Sequence, residues 1–406
     1  MGLANLPFGM FGALVLFTMP QLLAARSIPL PMISSVTAAA MIPTCSGFLL
    51  APILDVRFSR RSYALAFGLL TAALAVLALI EIADLGTLTV VLVAGFVCAT
   101  LNYNALGGWL GDIVADGDEG KLGAGFTIGN VGGFGIGAVL FITLVRALPG
   151  PLGAVAVGLA IAMPLVLLAG IPPSRADERG LRESFSMLRR DLILLVRRPL
   201  VLRTLLFFAL PASSFALTNT LGALGHDFAA SERFVAVIGA TAVTLAGIVG
   251  SLLVPQLVTR LAPRLLYLAI GSIGALFTLS LLGMPRSPLV FVVALVGENV
   301  FQSAALATES TIVFRSIGEG NPLAATQFAL LQAATALPIT YMQMIDGQGY
   351  GVGGLAGALV TDAGLSLAGC AILLMLVLRW RRGGRRGRAS AGLTLAHSAA
   401  EPVAQQ

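Results

Sequence analysis

Apolar runs of about twenty residues, separated by short polar breaks, follow one another along almost the whole chain. A helix needs roughly 20 apolar residues to cross the hydrocarbon core of a bilayer. The runs predict twelve spans, at 7–25, 32–54, 63–83, 88–110, 122–145, 152–171, 204–224, 234–258, 264–283, 288–312, 322–345 and 355–378. The expected fold class is an all-α polytopic membrane protein with two six-helix halves, residues 1–171 and 204–378. In the connection 172–203, Leu181, Phe185, Leu188, Leu192 and Leu195 recur at helical spacing among arginines. That pattern predicts an amphipathic helix lying on a membrane surface. Residues 379–406 form a basic tail expected to be disordered.

Composition agrees with this reading: 57% of the 406 residues are hydrophobic and 11% charged, with a mean hydropathy of +0.94. These values exclude an ordinary soluble domain. The net charge of +6 would suit a nucleic-acid partner, but its placement points elsewhere. With the N-terminus inside, 21 of the 25 Lys and Arg fall on one side, and only Arg26, Arg146, Arg233 and Arg286 on the other. This bias predicts cytoplasmic termini at both ends, and topology rather than nucleic acid accounts for the basic residues. The first basic residue, Arg26, follows the first run, so that run reads as a retained span and not a signal peptide. All three cysteines lie in apolar runs and the two histidines lack partners, so no disulfide, metal or cofactor is expected. No nucleophile–base pair appears, which argues against an enzyme.

Polar side chains at membrane depth are costly and need a reason. Glu298, Gln302 and Glu309 sit at steps of four and seven along span ten, within about 40° of one another on a helix. The two acids are roughly 16 Å apart along the axis. Carboxyls there suit a proton that binds and leaves as access alternates, or a hydrogen-bonded clamp between helices. Asn102, Tyr103 and Asn104 in span four, and Gln327 and Gln332 in span eleven, can line a path for a polar solute or hold helices together. Span five is rich enough in Gly to require close backbone packing, and Pro338 is expected to kink span eleven. Asp346 and Asp362 fall near the outer ends of their spans, where solvation is expected.

The halves also repeat. Residues 49–68, LLAPILDVRFSRRSYALAFG, match 252–271, LLVPQLVTRLAPRLLYLAIG, at nine of twenty positions, including Arg57 with Arg260 and Arg61 with Arg264. Glu119-Gly120 and Glu319-Gly320 stand two hundred positions apart. Six spans followed by six in the same orientation imply parallel halves with a solute site near the midplane between them, as in major-facilitator transporters. Residues 49–68 also resemble the gating motif of that superfamily, with Ala51 and Ser59 in place of its glycines. The motif implies a latch of Asp55 with an arginine among Arg57, Arg60 and Arg61; fixing topology is the alternative role for the cluster.

A narrower resemblance rests on Glu298-Asn299 and on Ala325-Thr326-Gln327-Phe328-Ala329-Leu330-Leu331. Leu6-Pro7-x-Gly9, Pro52, Asp55, Trp109-x-x-Asp112 and Gly123-Ala124-Gly125 extend it along most of the chain. Together these resemble the muropeptide permeases of the AmpG type, in the peptide–acetyl-coenzyme A transporter branch. The acids usual in span four of that branch are Asn102, Asn104 and Gly107 here, which leaves Glu298 as the main coupling residue. The resemblance implies a monomeric, proton-driven permease of a bacterial inner membrane. Its partners are a bulky polar solute such as a sugar-peptide, protons and the lipid bilayer. Siderophore and acyl-coenzyme A permeases of the same branch, and a non-transporting sensor on the same scaffold, are the alternatives.

Overall fold

The computed structural model describes residues 1–56, 58–172, 190, 193–318 and 320–398; Arg57 and most of the expected amphipathic helix of the 172–203 connection, including Leu181, Phe185, Leu188 and Leu192, fall outside the described residues. Every regular element among them is helical, and nine helices are long and apolar enough to cross a membrane. In the first half these are α1 (Gly2–Ala24), α2 (Pro31–Leu49), α3 (Arg60–Ile80), α4 (Leu85–Ile113), α5 (Glu119–Ala147) and α6 (Pro151–Gly170). The second half holds α7 (Pro199–Phe208), α8 (Glu232–Val258), α9 (Pro263–Ser280), α10 (Pro288–Ile317) and α11 (Ala324–Ser398). Starts are marked by capping side chains: Ser59, Asp84, Ser231 and Ser287 each accept a backbone N–H from the first turn of the helix they precede. At Asp84, bonds from the Thr87 hydroxyl and the Gly86 N–H hold the carboxyl below its ordinary range.

Three predicted spans take a different form. The seventh, expected as one helix over 204–224, is broken. Helix α7 stops at Phe208, and short turns of helix resume only at Thr218–Leu221 and Ala223–Phe228. Pro211 cannot donate, and Phe215 takes a left-handed backbone at φ 45°. Backbone groups freed in a membrane need other partners. Here the Ala209 carbonyl accepts from Tyr341, the Ala212 carbonyl from Cys370, and the Phe215 carbonyl from Gln302. The eleventh and twelfth spans form one helical run, α11, folded at Gly353–Gly354, where Gly354 adopts φ 58°. Pro338 lies inside that run, which departs from helical geometry only at the two glycines. The helical backbone continues to Ser398, into the tail for which no element was expected; Arg, Ala and Leu are good helix formers.

The halves meet where α5 packs on α8 and α10, and where α4 packs on α10 and α11. Small residues make this contact possible. A Cβ added to Gly108 of α4 would overlap the backbone of Ala324 and Ala325 at the start of α11. Gly123 of the glycine-rich α5 lies against Thr311 and the Ala307 carbonyl of α10.

Candidate functional site

One face of the interface between the halves is closed by a buried polar cluster. Arg60, at the start of α3, donates through Nε to Asp55 Oδ1 (2.9 Å) and through Nη1 to Asp112 Oδ2 (3.0 Å). Its Nη2 reaches the carbonyls of Asn321 (2.8 Å) and Pro322 (3.1 Å) in the other half. Asp55 in turn accepts from the backbone N–H groups of Ala325 (3.1 Å) and Thr326 (2.8 Å) and from the Thr326 hydroxyl (2.7 Å). Those N–H groups are unpaired donors of the first turn of α11, which carries no acid of its own. A carboxylate from the opposite half therefore caps the helix and meets the positive end of its dipole. Asn321 completes the cluster through Asp112 Oδ1 and Gln327 Oε1.

Of the gating residues expected from sequence, Asp55 and Arg60 come together here. Arg61 is half-buried beside them, outside the network described above. Asp112, Asn321 and Thr326 join this cluster although charge spacing gave no reason to select them. The repeat also resolves. Val258, which stands where the first half has Asp55, packs on Gly120 at the start of α5. Helix α5 has Glu119 in its own first turn, so no acid is needed from across the interface.

Beyond the gate lies a cavity of about 200 Å³ between the halves. Asn5, Thr44, Thr100, Asn104, Thr127, Asn130, Ser310, Gln332 and Thr335 supply its polar lining, and Phe8, Phe48 and Phe126 its aromatic walls. Tyr103 and Gln332 hydrogen-bond to each other across it. Tyr103, Phe126, Phe314 and Phe328 pack ring on ring with centroids 5.1–5.7 Å apart, forming a floor toward the gate. Among the described residues, Glu309 is its only charged lining residue; its Oε1 accepts from Tyr267 at 3.0 Å. Asn5, Thr100, Thr127 and Asn130 were missed, although a polar residue inside an apolar run was the signal that could have found them.

The other expected site residues lie elsewhere. Glu298 is fully buried inside the second half, away from this cavity, with Oε1 2.5 Å from the Thr278 hydroxyl. Gln302 holds the broken span through Thr218 and Phe215. Asn299 bonds back to Leu295, Asn102 ties α4 to the Ala64 carbonyl of α3, and Gln327 bonds the Ser316 carbonyl within the gate. Asp346 and Asp362, expected to be solvated, are each only 2% exposed. They face inward from the arms of the α11 hairpin, and helical phase rather than depth decides their burial.

Close contact between the halves beside this cluster depends on Gly108. We expect Gly108→Val to keep the gate ajar, because the added side chain cannot fit against the α11 backbone. Spin labels on the exposed positions Asp116 and Arg260 should then read a longer distance than in the parent protein. An unchanged distance would show that this contact does not limit closure.

A family model described as Major Facilitator Superfamily matches residues 1–341. No curated protein matches the chain in sequence. Among solved structures, that of the proton:xylose symporter XylE bound to 6-bromo-6-deoxy-D-glucose superposes with a TM-score of 0.69 at 13% identity, covering 93% of this chain and 94% of that one. The human organic anion transporter MFSD10 (TETRAN) gives 0.67 at 17% identity, covering 92% and 97%. A variant of the E. coli fucose:proton symporter FucP gives 0.67 at 16% identity, again covering 92% and 97%. At these identities the likeness is one of fold.

Proposed function

The chain belongs to the Major Facilitator Superfamily, a family of multi-pass membrane transporters, and from that premise we propose that it is a monomeric, proton-driven permease for a bulky, hydroxyl-rich solute. It has twelve spans in two parallel halves, with both termini in the cytoplasm of a bacterial cell, and it lies in the inner membrane. The gate of Asp55, Arg60 and Asp112 then closes the cytoplasmic face, and the solute exchanges with the other side.

The lining of the central cavity carries this reading. Amides, hydroxyls and aromatic rings suit a polyhydroxylated solute, whose rings stack and whose hydroxyls both donate and accept. No Lys or Arg among the described residues lines the cavity, so the lining supports the sugar portion of a sugar-peptide better than a phosphorylated or polyanionic cargo. Its volume of about 200 Å³ falls below the ~300–1,000 Å³ usual for drug-sized ligands. With the gate shut, the cavity accommodates about one sugar-sized group. Two of the solved structures of similar fold are of sugar:proton symporters, in keeping with this reading. Glu309 faces the solute, and Glu298 carries the coupling proton.

Purified protein in liposomes, energised by an imposed pH gradient, tests the proposal. Accumulation of a neutral disaccharide or of a disaccharide-peptide supports it. Failure to accumulate any neutral sugar, sugar-peptide or anionic solute offered would overturn transport itself.

A further inference from the structure

The Gly353–Gly354 fold turns α11 back on itself, and two acids end up opposite each other. Asp346 precedes the turn by about 11 Å of helix and Asp362 follows it by about 13 Å. A Cβ on Gly357 would overlap the Gly349 carbonyl, so the arms touch backbone to backbone just beyond the acids. The two carboxyls lie within hydrogen-bonding reach of each other.

Both residues are 98% buried, and neither oxygen of Asp346, nor Asp362 Oδ1, meets a donor. Asp362 is near enough for its charge to act on Glu298 of α10, whose Oε2 is likewise buried without a donor. No Lys, Arg or His pairs with any of the three among the described residues. One turn outward of Asp346, Tyr350 bonds Asp227 at 3.1 Å and lies 3.4 Å from His226, a separate surface group.

Two carboxylates in contact cannot both stay ionised in an apolar setting without a counter-charge. A shared hydrogen resolves the conflict: a protonated acid donates to its neighbour, and the missing donor is supplied. A hard cation would need about six oxygens, and no group of three His, Cys, Asp or Glu among the described residues is placed to hold one. We propose that Asp346 and Asp362 form a carboxyl–carboxylate pair that binds one proton, a second proton site beside Glu298. Its place in transport rests on the proton-driven reading above; the binding itself does not.

Infrared spectroscopy of the full chain in liposomes at neutral pH reads the C=O stretch of protonated carboxyls directly. In a Glu298→Gln, Glu309→Gln background we expect one such band, shifting in D2O, unaffected when sodium replaces choline. Asp346→Asn and Asp362→Asn should each abolish it, since an amide donates to the remaining carboxylate without titrating. In the otherwise unaltered chain, each Asn variant should remove one carboxyl's worth of intensity, which guards against misfolding of the combined variants. No band in the background protein, a band surviving both Asn changes, or loss of the band with sodium would overturn the proposal. Driven uptake that survives Glu298→Gln would instead remove Glu298 from coupling and leave the band as it is.

Discussion

Asp55→Asn is expected to slow transport by one to two orders of magnitude while leaving the amount of protein in the membrane unchanged. The side chain is buried and accepts from Arg60, the N–H groups of Ala325 and Thr326, and the Thr326 hydroxyl. A hydrogen bond to a charged group contributes about 1.5–3 kcal/mol, and the amide retains some of these partners without the charge. A net loss of about 2–3 kcal/mol moves the balance between shut and open gates by roughly 30- to 150-fold. The bonds to Ala325 and Thr326 join the two halves and exist only while the halves meet there, so their loss bears on the conformational step more than on folding. Initial rates of uptake, read beside the protein content of the membrane fraction, decide the matter. A parental rate would reduce the cluster to a topology signal.

Glu298→Gln should abolish accumulation driven by a pH gradient and spare exchange of solute between equal pools. The Thr278 hydroxyl touches both Glu298 and the Gly274 carbonyl, at 2.5 and 3.1 Å, yet has one hydrogen to give. Both contacts are satisfied when position 298 donates, as a protonated acid or an amide does. The variant therefore keeps the fold and mimics the proton-loaded form permanently. A coupled proton supplies about 2.3 kcal/mol per 100 mV, a concentration ratio of roughly 50, and that ratio should fall to one. Counterflow at the parental rate shows that the solute path is intact. Normal driven uptake would exclude Glu298 as the carrier.

Much of the fold was legible because a bilayer imposes a length and the halves repeat. The broken seventh span was not, since Leu, Ala and Phe around Pro211 satisfy any hydropathy pattern. The carbonyl partners that permit the break, from Tyr341, Cys370 and Gln302, are distant in sequence. In the gate, Asp55 stood out as an acid among arginines, but spacing could not tell Arg60 from its neighbours. The repeat contains the distinction: Arg57 and Arg61 have counterparts at Arg260 and Arg264, whereas Asp55 and Arg60 face Val258 and Pro263. Residues shared by the halves suit what the halves share, their orientation. The cluster between the halves is built on the pair that breaks the symmetry. Glu298 and Glu309 lie on one face of α10, yet that face spans two environments, a dry helix junction and the central cavity.

The cap on α11 has a further consequence. Its first turn is complete only while Asp55, from the other half of the molecule, is in place. When the halves part on that side, the N–H groups of Ala325 and Thr326 lose their acceptor and must turn to water or solute. Secondary structure at this helix end is therefore a property of the conformational state. The hydrogen–deuterium exchange of two backbone amides becomes a clock for the cycle, readable without any label or any knowledge of the cargo.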